Sequence, residues 1–284
     1  MTSHRSGGKY HLGHTDAEHE RLIRQAVRLA PVTARFFREA GIGSGQRVLD
    51  LGSGVGDVAI LLAGLVGPSG SVVGIEQDAR TIGRARSRAA EADLANVTFV
   101  EGDIDAYAPD VAFDAVVGRY ILQFLPDPAA TLRSVTKHVR PGGIVAFQEG
   151  SWIPFLTLSA HLPQWSAGVA LLREAGLRAG VNLEMGPALH AAFREAGLPA
   201  PRMRLEMELA CDPDFTRWVS DSLKSVLPVI RRLGLSYETI GDIDTLQERL
   251  QREVADSNTV VPWIGLVGAW CRTPTASGSV HDPH

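Results

Sequence analysis

The sequence predicts an α/β fold in which helices cover both faces of a doubly wound, mostly parallel sheet of seven strands, with a helical cap inserted around the last strands. Three observations predict it. Short apolar runs alternate with helical patterns over residues 47–149, a glycine-rich turn links the first run to the first helix, and this rhythm changes after Glu149. Such alternation favours parallel pairing, right-handed crossovers and helices on both faces of one sheet.

The N-terminal part is predicted to be helical up to the first strand. Asp16 is a candidate N-cap of a helix that runs towards Ala40, and Pro31 is expected to end or kink it because proline lacks the backbone N–H. Glycines at 41 and 43 then break the pattern. The core elements that follow are strands at 47–50, 71–76, 97–101, 113–117 and 144–149, and helices at 56–66, 78–94 and 132–139.

The second half of the chain predicts a cap beside the end of the sheet. Its pattern gives a loop and helix at 151–177, a helix at 187–196, a strand at 202–210, two helical stretches within 213–256 and a strand at 259–271. The simplest arrangement places these two strands in the same sheet. The predicted organisation is one domain over 1–272, followed by a flexible tail at 273–284. Within the domain we expect an N-terminal helical lid at 1–40 and a ligand-binding core at 41–150. Cap insertions at 151–197 and 211–257 alternate with the last strands at 198–210 and 258–272.

The composition excludes several classes of function. The 284 residues are 45% apolar and 21% charged, as in ordinary globular proteins, and the net charge of -4 gives no basic surface for nucleic acid or an anionic membrane. No apolar run reaches the roughly 18–20 residues of a membrane helix, and no apolar signal core follows Met1. Cys211 and Cys271 are too few for a metal knuckle. We therefore expect a cytoplasmic protein without a metal, nucleic-acid or membrane partner.

The turn Gly52-Ser53-Gly54-Val55-Gly56 is the strongest functional signal. It follows the first strand and enters a helix, so that backbone N–H groups and a helix N-terminus face a ligand. Its Gly-x-Gly-x-Gly spacing differs from the Gly-x-Gly-x-x-Gly of dinucleotide sites and argues against a nicotinamide-dependent dehydrogenase.

Acids at two further strand ends extend this signal. Glu76 ends the second strand, where a carboxylate accepts hydrogen bonds from both hydroxyls of a ribose. Asp103, which follows Glu101 and Gly102, suits an adenine amino group. The alternatives are a solvent-facing acid at a helix start and an acid that serves only its turn.

These motifs together resemble the class I S-adenosylmethionine-dependent methyltransferases, particularly their small-molecule branch. The resemblance rests on the order and spacing of residues 48–56, Gly74-Ile75-Glu76, residues 101–103, residues 113–117 and Val139-Arg140-Pro141-Gly142-Gly143. It implies a Rossmann-like methyltransferase fold with S-adenosyl-L-methionine as the cofactor and S-adenosyl-L-homocysteine as the product.

The resemblance also implies the cofactor contacts. The amino-acid portion would lie on Asp50, Gly52, Ser53, Gly54 and Gly56, the ribose on Glu76 and Gln77, and the adenine on Asp103 and Ile104. Residues 118–124, with Arg119 and Gln123, would cover the cofactor. Tyr10 would belong to the N-terminal lid.

Methyl transfer also needs a base where the acceptor arrives protonated. The candidates are Glu149 at the end of the fifth strand, His14 before the first helix, and Tyr120; His161 in the cap is a weaker one. Each has a structural alternative, because His14 could serve helix entry, Tyr120 could pack on the cofactor and Glu149 could be a satisfied structural carboxylate.

The cap indicates the acceptor. Aromatic residues there suit a small apolar or aromatic molecule, with Trp152, His161, Trp165 and Trp218 as candidate substrate contacts. A stripe at helical spacing, 215–230, predicts cap core or a homodimer through the cap helices. The alternative function is a cofactor-binding protein of the same fold that performs another reaction, such as a cyclisation, or acts as a sensor.

Overall fold

The computed structural model describes residues 16–104, 107 and 109–275. The strands are β1 (Arg47–Leu51), β2 (Ser71–Glu76), β3 (Val97–Glu101), β4 (Phe113–Arg119), β5 (Val139–Ser151), β6 (Arg202–Glu206), β7 (Leu209–Ala210), β8 (Val261–Pro262) and β9 (Gly265–Arg272). The helices are α1 (Asp16–Ala40), α2 (Asp57–Val66), α3 (Ala79–Glu91), α4 (Pro128–Val135), α5 (Ile153–Leu158), α6 (Pro163–Arg178), α7 (Met185–Glu195), α8 (Pro213–Arg232) and α9 (Leu246–Asp256).

The main sheet has seven strands in the order β3-β2-β1-β4-β5-β9-β6. The first five strands pair in parallel, and β9 lies antiparallel between β5 and β6. This confirms the predicted doubly wound, mostly parallel sheet. The predicted strand at 202–210 is divided, because β7 leaves the sheet and pairs with β8 in a separate ribbon. The chain reverses direction across the sheet between β1 and β4, which is where ligands of such sheets bind.

Helices lie on both faces of the sheet, and further helices form the cap. One apolar core joins α1, α2 and α3 to the sheet, and a second joins α4 and α7 to its other face. The helix predicted at 187–196 was assigned to the cap, and this was wrong: α7 packs on β5 and β9. Its buried side chains, including Leu189 and Phe193, face the sheet core, so the cap helices are α5, α6, α8 and α9.

The long helix α1 runs through Pro31, so the expected end there was wrong, while a kink at Pro31 stays a prediction. Loss of one backbone hydrogen bond at a proline costs about 3 kcal/mol. Leu29, Val32, Phe36 and Phe37 are all buried on the two sides of the proline. Burial of each such side chain stabilises the fold by about 1.5–3 kcal/mol, so that the sum exceeds the cost of the missing bond.

The apolar stripe on α8 packs inside the chain. Phe215, Trp218, Val219, Leu223 and Ile230 are buried and belong to one core with residues of α6 and α9. The stripe is therefore cap core, one of its two predicted roles, while a homodimer through the cap helices stays a prediction. Across the part of the chain described above, we find no helix with both the length and the apolar character needed to cross a membrane.

The glycine turn between β1 and α2 depends on left-handed backbone. Gly52, Gly54 and Gly56 have φ values of 61°, 53° and 86°. A methyl group built on the Cα of Gly56 would lie 2.9 Å from Phe99 Cζ and 3.2 Å from Ala85 Cβ. Because Gly56 has no side chain, α2 can begin in close contact with Phe99 of β3 and Ala85 of α3.

We predict that Gly56→Ala lowers the free energy of unfolding by at least about 2 kcal/mol, because it adds left-handed strain and a steric overlap. Gly64→Ala is the matched control, since Gly64 is an exposed residue of α2 whose added methyl meets nothing within 4 Å. That change should stabilise the protein by about 0.5–1 kcal/mol. Denaturant titration measures both values, and equal effects at the two positions would contradict this account of the turn.

Candidate functional site

A cavity of about 680 Å³ lies at the carboxyl ends of β1, β2 and β4 and continues under the cap. The core contributes the glycine turn, the end of β2 and the segment that follows β4. The cap contributes side chains of α6 and α8, and α1 closes the side between them. The cavity therefore joins the sheet edge predicted to bind a ligand to the aromatic cap.

The glycine turn forms an open end of this cavity. The Gly54 N–H donates to Glu76 Oε2 at 3.1 Å, and a methyl group on Gly54 would meet nothing within 4 Å. Glu76 Oε1 accepts from the N–H groups of Gln77 and Asp78 at 2.8 and 3.1 Å. The Glu76 carboxylate therefore fixes the turn to the start of the next helix, and its remaining lone pairs can still accept from a ligand.

Asp50 is a buried acid below the turn. It is 1% exposed and lines the cavity, and its Oδ2 has no hydrogen-bond partner among the described residues. Burial raises the pKa of Asp50 to about 8, while the charge of Arg119 opposes the increase. Arg119 also lines the cavity and donates to Thr33 Oγ1 at 3.1 Å. The same cavity is thus lined by a buried acid and by a cation whose charge acts on it.

Tyr120 occupies the junction between the glycine turn and the cap. Its φ is 56°, uncommon for a residue with a side chain, and its N–H donates to Gln148 O at 2.9 Å. Burial raises the pKa of the Tyr120 phenol above its usual range, so that the hydroxyl stays protonated at neutral pH. In this state Tyr120 can orient a ligand as a hydrogen-bond donor, and a role as base stays a prediction.

Glu149 holds the segment that carries Tyr120. Glu149 is fully buried, and its Oε1 accepts from the N–H groups of Ile121 and Leu122 at 3.0 and 2.8 Å. It is absent from the described lining of the cavity. Its Oε2 is buried without a hydrogen-bond partner among the described residues. The contacts of Oε1 support the structural alternative, a carboxylate that fixes the turn after β4, and a role as catalytic base stays a prediction. Burial raises the pKa of Glu149 to about 8, and the backbone hydrogen bonds oppose this increase.

The structure brings most predicted site residues to one cavity. The predicted cofactor and substrate contacts among its lining residues are Asp50, Gly52, Ser53, Gly54, Glu76, Gln77, Ile104, Arg119, Gln123, Trp152 and Trp218, together with Tyr120. Tyr10 and His14 lie outside the described residues.

Besides Glu149, four predicted residues lie away from this lining. Trp165 is fully buried in the cap core and packs edge-on against Trp218, and His161 is exposed on the surface. Gly56 is enclosed by Phe99, and Asp103 lines an adjacent open depression that Gln77 shares. Trp165 supports a cavity residue, whereas the position of His161 argues against contact with a substrate.

Sequence reasoning missed several lining residues. Trp263 lies beside Trp218 with ring centroids 5.0 Å apart, and it follows the short strand β8. His19 is buried on α1, and its Nε2 lies 3.3 Å from Thr81 Oγ1. Leu172 and Ala175 line the cavity from α6. Helical spacing on α1 and α6 marks their buried faces, but it carries no signal for which buried residues border a void.

Charge divides the cavity into two ends. The lining carboxylates, Asp50, Asp57, Glu76 and Asp78, all belong to the glycine turn or to the end of β2 and the following residues. The cap end is bordered by Trp152, Trp218 and Trp263, by aliphatic side chains and by two serines of α8, Ser222 and Ser225. An elongated or two-part ligand with a polar, cationic end and an apolar end matches this division. The described residues contain no group of three or more histidine, cysteine or acidic side chains that could hold a metal.

Known proteins share this fold. Residues 42–181 match the family described as "Methyltransferase domain". The arsenite methyltransferase of Aquipseudomonas alcaligenes is 36% identical over 133 residues, which cover 42% of this chain and 38% of that protein. The chain thus spans less than half the length of this curated relative.

Two solved structures are similar over most of the chain. A SAM-dependent methyltransferase from Geobacter sulfurreducens, in complex with S-adenosyl-L-homocysteine, has a TM-score of 0.50 at 22% identity and covers 86% of this chain and 90% of its own. The 4+2 cyclase SpnF has a TM-score of 0.52 at 18% identity, and the match covers 87% of this chain and 81% of the cyclase chain. At these identities the likeness concerns the fold.

We predict that Glu149→Gln stabilises the protein relative to the wild type increasingly as the pH rises from 5 to 8. The wild-type carboxyl has a folded pKa raised to about 8 and an unfolded pKa near its usual value. The folded state therefore binds more protons in this window, and its stability falls with pH by up to about 1.4 kcal/mol per unit. Glutamine keeps the acceptor oxygen and cannot ionise.

Denaturant unfolding at several pH values tests this prediction. Glu149→Ala is the companion variant, since it leaves the N–H groups of Ile121 and Leu122 without their acceptor and should destabilise the protein at every pH. A constant difference between wild type and Glu149→Gln across the pH range would show that the carboxyl does not titrate in this window.

Proposed function

The chain belongs, through residues 42–181, to the class I S-adenosylmethionine-dependent methyltransferases, and from this premise we propose that it moves a methyl group from S-adenosyl-L-methionine to a small apolar or aromatic molecule. S-adenosyl-L-homocysteine is then the second product. One observation carries the proposal: a single cavity joins the glycine turn and its acids to an aromatic cap.

The polar end of the cavity suits the methyl donor. The Asp50 carboxylate and the Arg119 guanidinium complement the ammonium and carboxylate groups of an amino acid. Gly54 leaves its backbone uncovered towards the cavity, and Glu76 retains lone pairs for two ribose hydroxyls. Gln77 and Ile104 border the space where the base would lie. Asp103 stands at the outer edge of that space, in the adjacent depression.

The bound donor supplies an activated methyl group on a sulfonium. What remains for the protein is to align the acceptor with that group and to exclude water. The cap helices close the cavity with apolar side chains, and the turn anchored by Glu149 sets the position of Tyr120 between the two ends. Tyr120, as a protonated phenol, donates a hydrogen bond to an acceptor oxygen or nitrogen.

The cap end supports an apolar or aromatic acceptor. Trp152, Trp218 and Trp263 are each at least nine-tenths buried and border the cavity, and flat rings pack well against such surfaces. Where the acceptor must lose a proton, His14 remains the proposed base from the sequence. We also propose a single catalytic domain whose lid, core and cap surround this cavity, with a homodimer through the cap helices as a further expectation.

Titration calorimetry with S-adenosyl-L-homocysteine tests the donor site. We expect binding, and we expect Glu76→Ala to weaken it by about 10- to 100-fold, because one or two hydrogen bonds to a charged group are lost. Glu91→Ala is the matched control, since Glu91 is an exposed acid of α3 outside the cavity lining. Binding of NAD without binding of S-adenosyl-L-homocysteine would overturn the proposal.

The reaction itself is tested with isotope-labelled S-adenosyl-L-methionine and a panel of aromatic and aliphatic acceptors, with mass spectrometry of the products. Labelled product supports methyl transfer. Tight donor binding with no product across the panel would favour the alternative in which the same fold performs another reaction or senses the cofactor.

We predict that donor affinity increases with pH between 5.5 and 7.5. In the protein without ligand, the Asp50 carboxyl is mostly protonated in this window because its pKa is raised to about 8. The ammonium group of a bound donor favours the ionised form of this carboxyl. The dissociation constant should fall by up to about tenfold per pH unit with release of a proton. Calorimetry in buffers of different ionisation enthalpy measures that proton, and Asp50→Asn should bind weakly without this pH dependence. A pH-independent affinity in the wild type would exclude Asp50 as the partner of the ammonium.

A further inference from the structure

One part of the cavity lining consists of aliphatic side chains and a glycine, and we call this part the aliphatic slot. Leu172, Ala175 and Gly176 of α6 form one wall, Val181 and Leu183 of the following segment form the second, and Leu125 borders it from the segment after β4. These residues belong to the same cavity as the glycine turn, so that a ligand can extend from one to the other.

Backbone hydrogen bonds hold the walls of the slot in place. Val181 N–H donates to Gly176 O at 3.0 Å, which turns the chain back along α6. Asn182 N–H donates to Gln123 O at 2.9 Å, which ties the second wall to the segment that carries Tyr120. The slot is therefore a built part of the fold, fixed with respect to the candidate reaction site.

Two small residues of α6 border the slot. Ala175 is 3% exposed and yet borders the cavity, and a methyl group on Gly176 would lie 3.2 Å from Leu183 Cδ2. A larger side chain at either position would occupy the space or push Leu183 into it. Water in such a space finds few hydrogen-bond partners in these side chains, whereas a hydrocarbon chain loses nothing by leaving water.

We propose that the natural acceptor is an elongated molecule with an aliphatic arm that occupies the aliphatic slot while its methyl-accepting group lies beside Tyr120. The arm is the part of the acceptor that the protein binds by burial of hydrocarbon, and its length sets specificity. This proposal rests on the methyl-transfer function for the identity of the reactive end. The binding of the arm is measured independently of turnover.

The test uses phenol and its para-ethyl, para-butyl and para-hexyl derivatives as probes, titrated by calorimetry into the full chain, with and without S-adenosyl-L-homocysteine. We expect binding of one probe molecule per chain. Affinity should rise with each methylene, by up to about fourfold per group, until the slot is filled. Equal affinities of phenol and para-hexylphenol for the wild type would overturn the proposal.

Three variants locate the arm. Ala175→Leu should remove the increase in affinity with chain length. The affinity for para-hexylphenol should fall at least tenfold, while the affinity for phenol should stay unchanged. Ala170→Leu is the matched control, because Ala170 lies on the exposed face of the same helix and should leave both affinities unchanged. Gly176→Ala adds a single methyl against Leu183 and should give an intermediate loss, which keeps the test informative if Ala175→Leu does not fold.

The outcomes separate the two proposals. A chain-length dependence that Ala175→Leu removes supports the slot even where S-adenosyl-L-homocysteine does not bind, and in that case the methyl-transfer proposal fails alone. Binding of S-adenosyl-L-homocysteine with a chain-length dependence that survives in Ala175→Leu would overturn the slot and leave the donor site in place.

Discussion

The left-handed glycine turn between β1 and α2 is the constraint on which the site depends. At φ values of 53–86° a side chain would add strain at each of Gly52, Gly54 and Gly56. The three glycines differ in their surroundings. Gly56 packs against Phe99, whereas Gly54 faces open space and bonds to Glu76. One turn thus serves both the packing of α2 and the exposure of backbone to a ligand.

Two buried carboxyl groups near this turn have different surroundings. Each of the two acids has one buried carboxylate oxygen without a hydrogen-bond partner among the described residues. Glu149 accepts two backbone hydrogen bonds from the segment after β4 and lies outside the cavity lining, whereas Asp50 borders the cavity. Burial raises the pKa of both acids to about 8. A shifted pKa alone would have ranked them equally, but the hydrogen-bond partners and the position of the cavity distinguish a structural acid from one that can meet a ligand.

The cavity combines a polar end with a cap whose lining is mainly aromatic and aliphatic. Among the charged groups at the polar end, Asp50 is buried, which strengthens the interaction of its charged form with an oppositely charged ligand. Trp152, Trp218 and Trp263 close the other end, and Trp165 supports Trp218 from behind. Packing of α8 against α6 and α9 explains why its apolar stripe is cap core. The acceptor end is therefore shaped by helices distant in sequence from the glycine turn.

The sequence by itself determined the sheet, the glycine turn and the polar end of the site, because these depend on local patterns: strand runs, left-handed glycines and acids at strand ends. Asp50, Gly54 and Glu76 are all found within about 30 residues, and the structure places all three in the lining of one cavity. Only the tertiary structure decided that Glu149 bonds to backbone N–H groups, that α7 covers the sheet, and that Trp263 and Ala175 border the cavity. A pattern shows which face of an element is buried. Whether that face meets protein or an empty space depends on contacts between segments far apart in the chain.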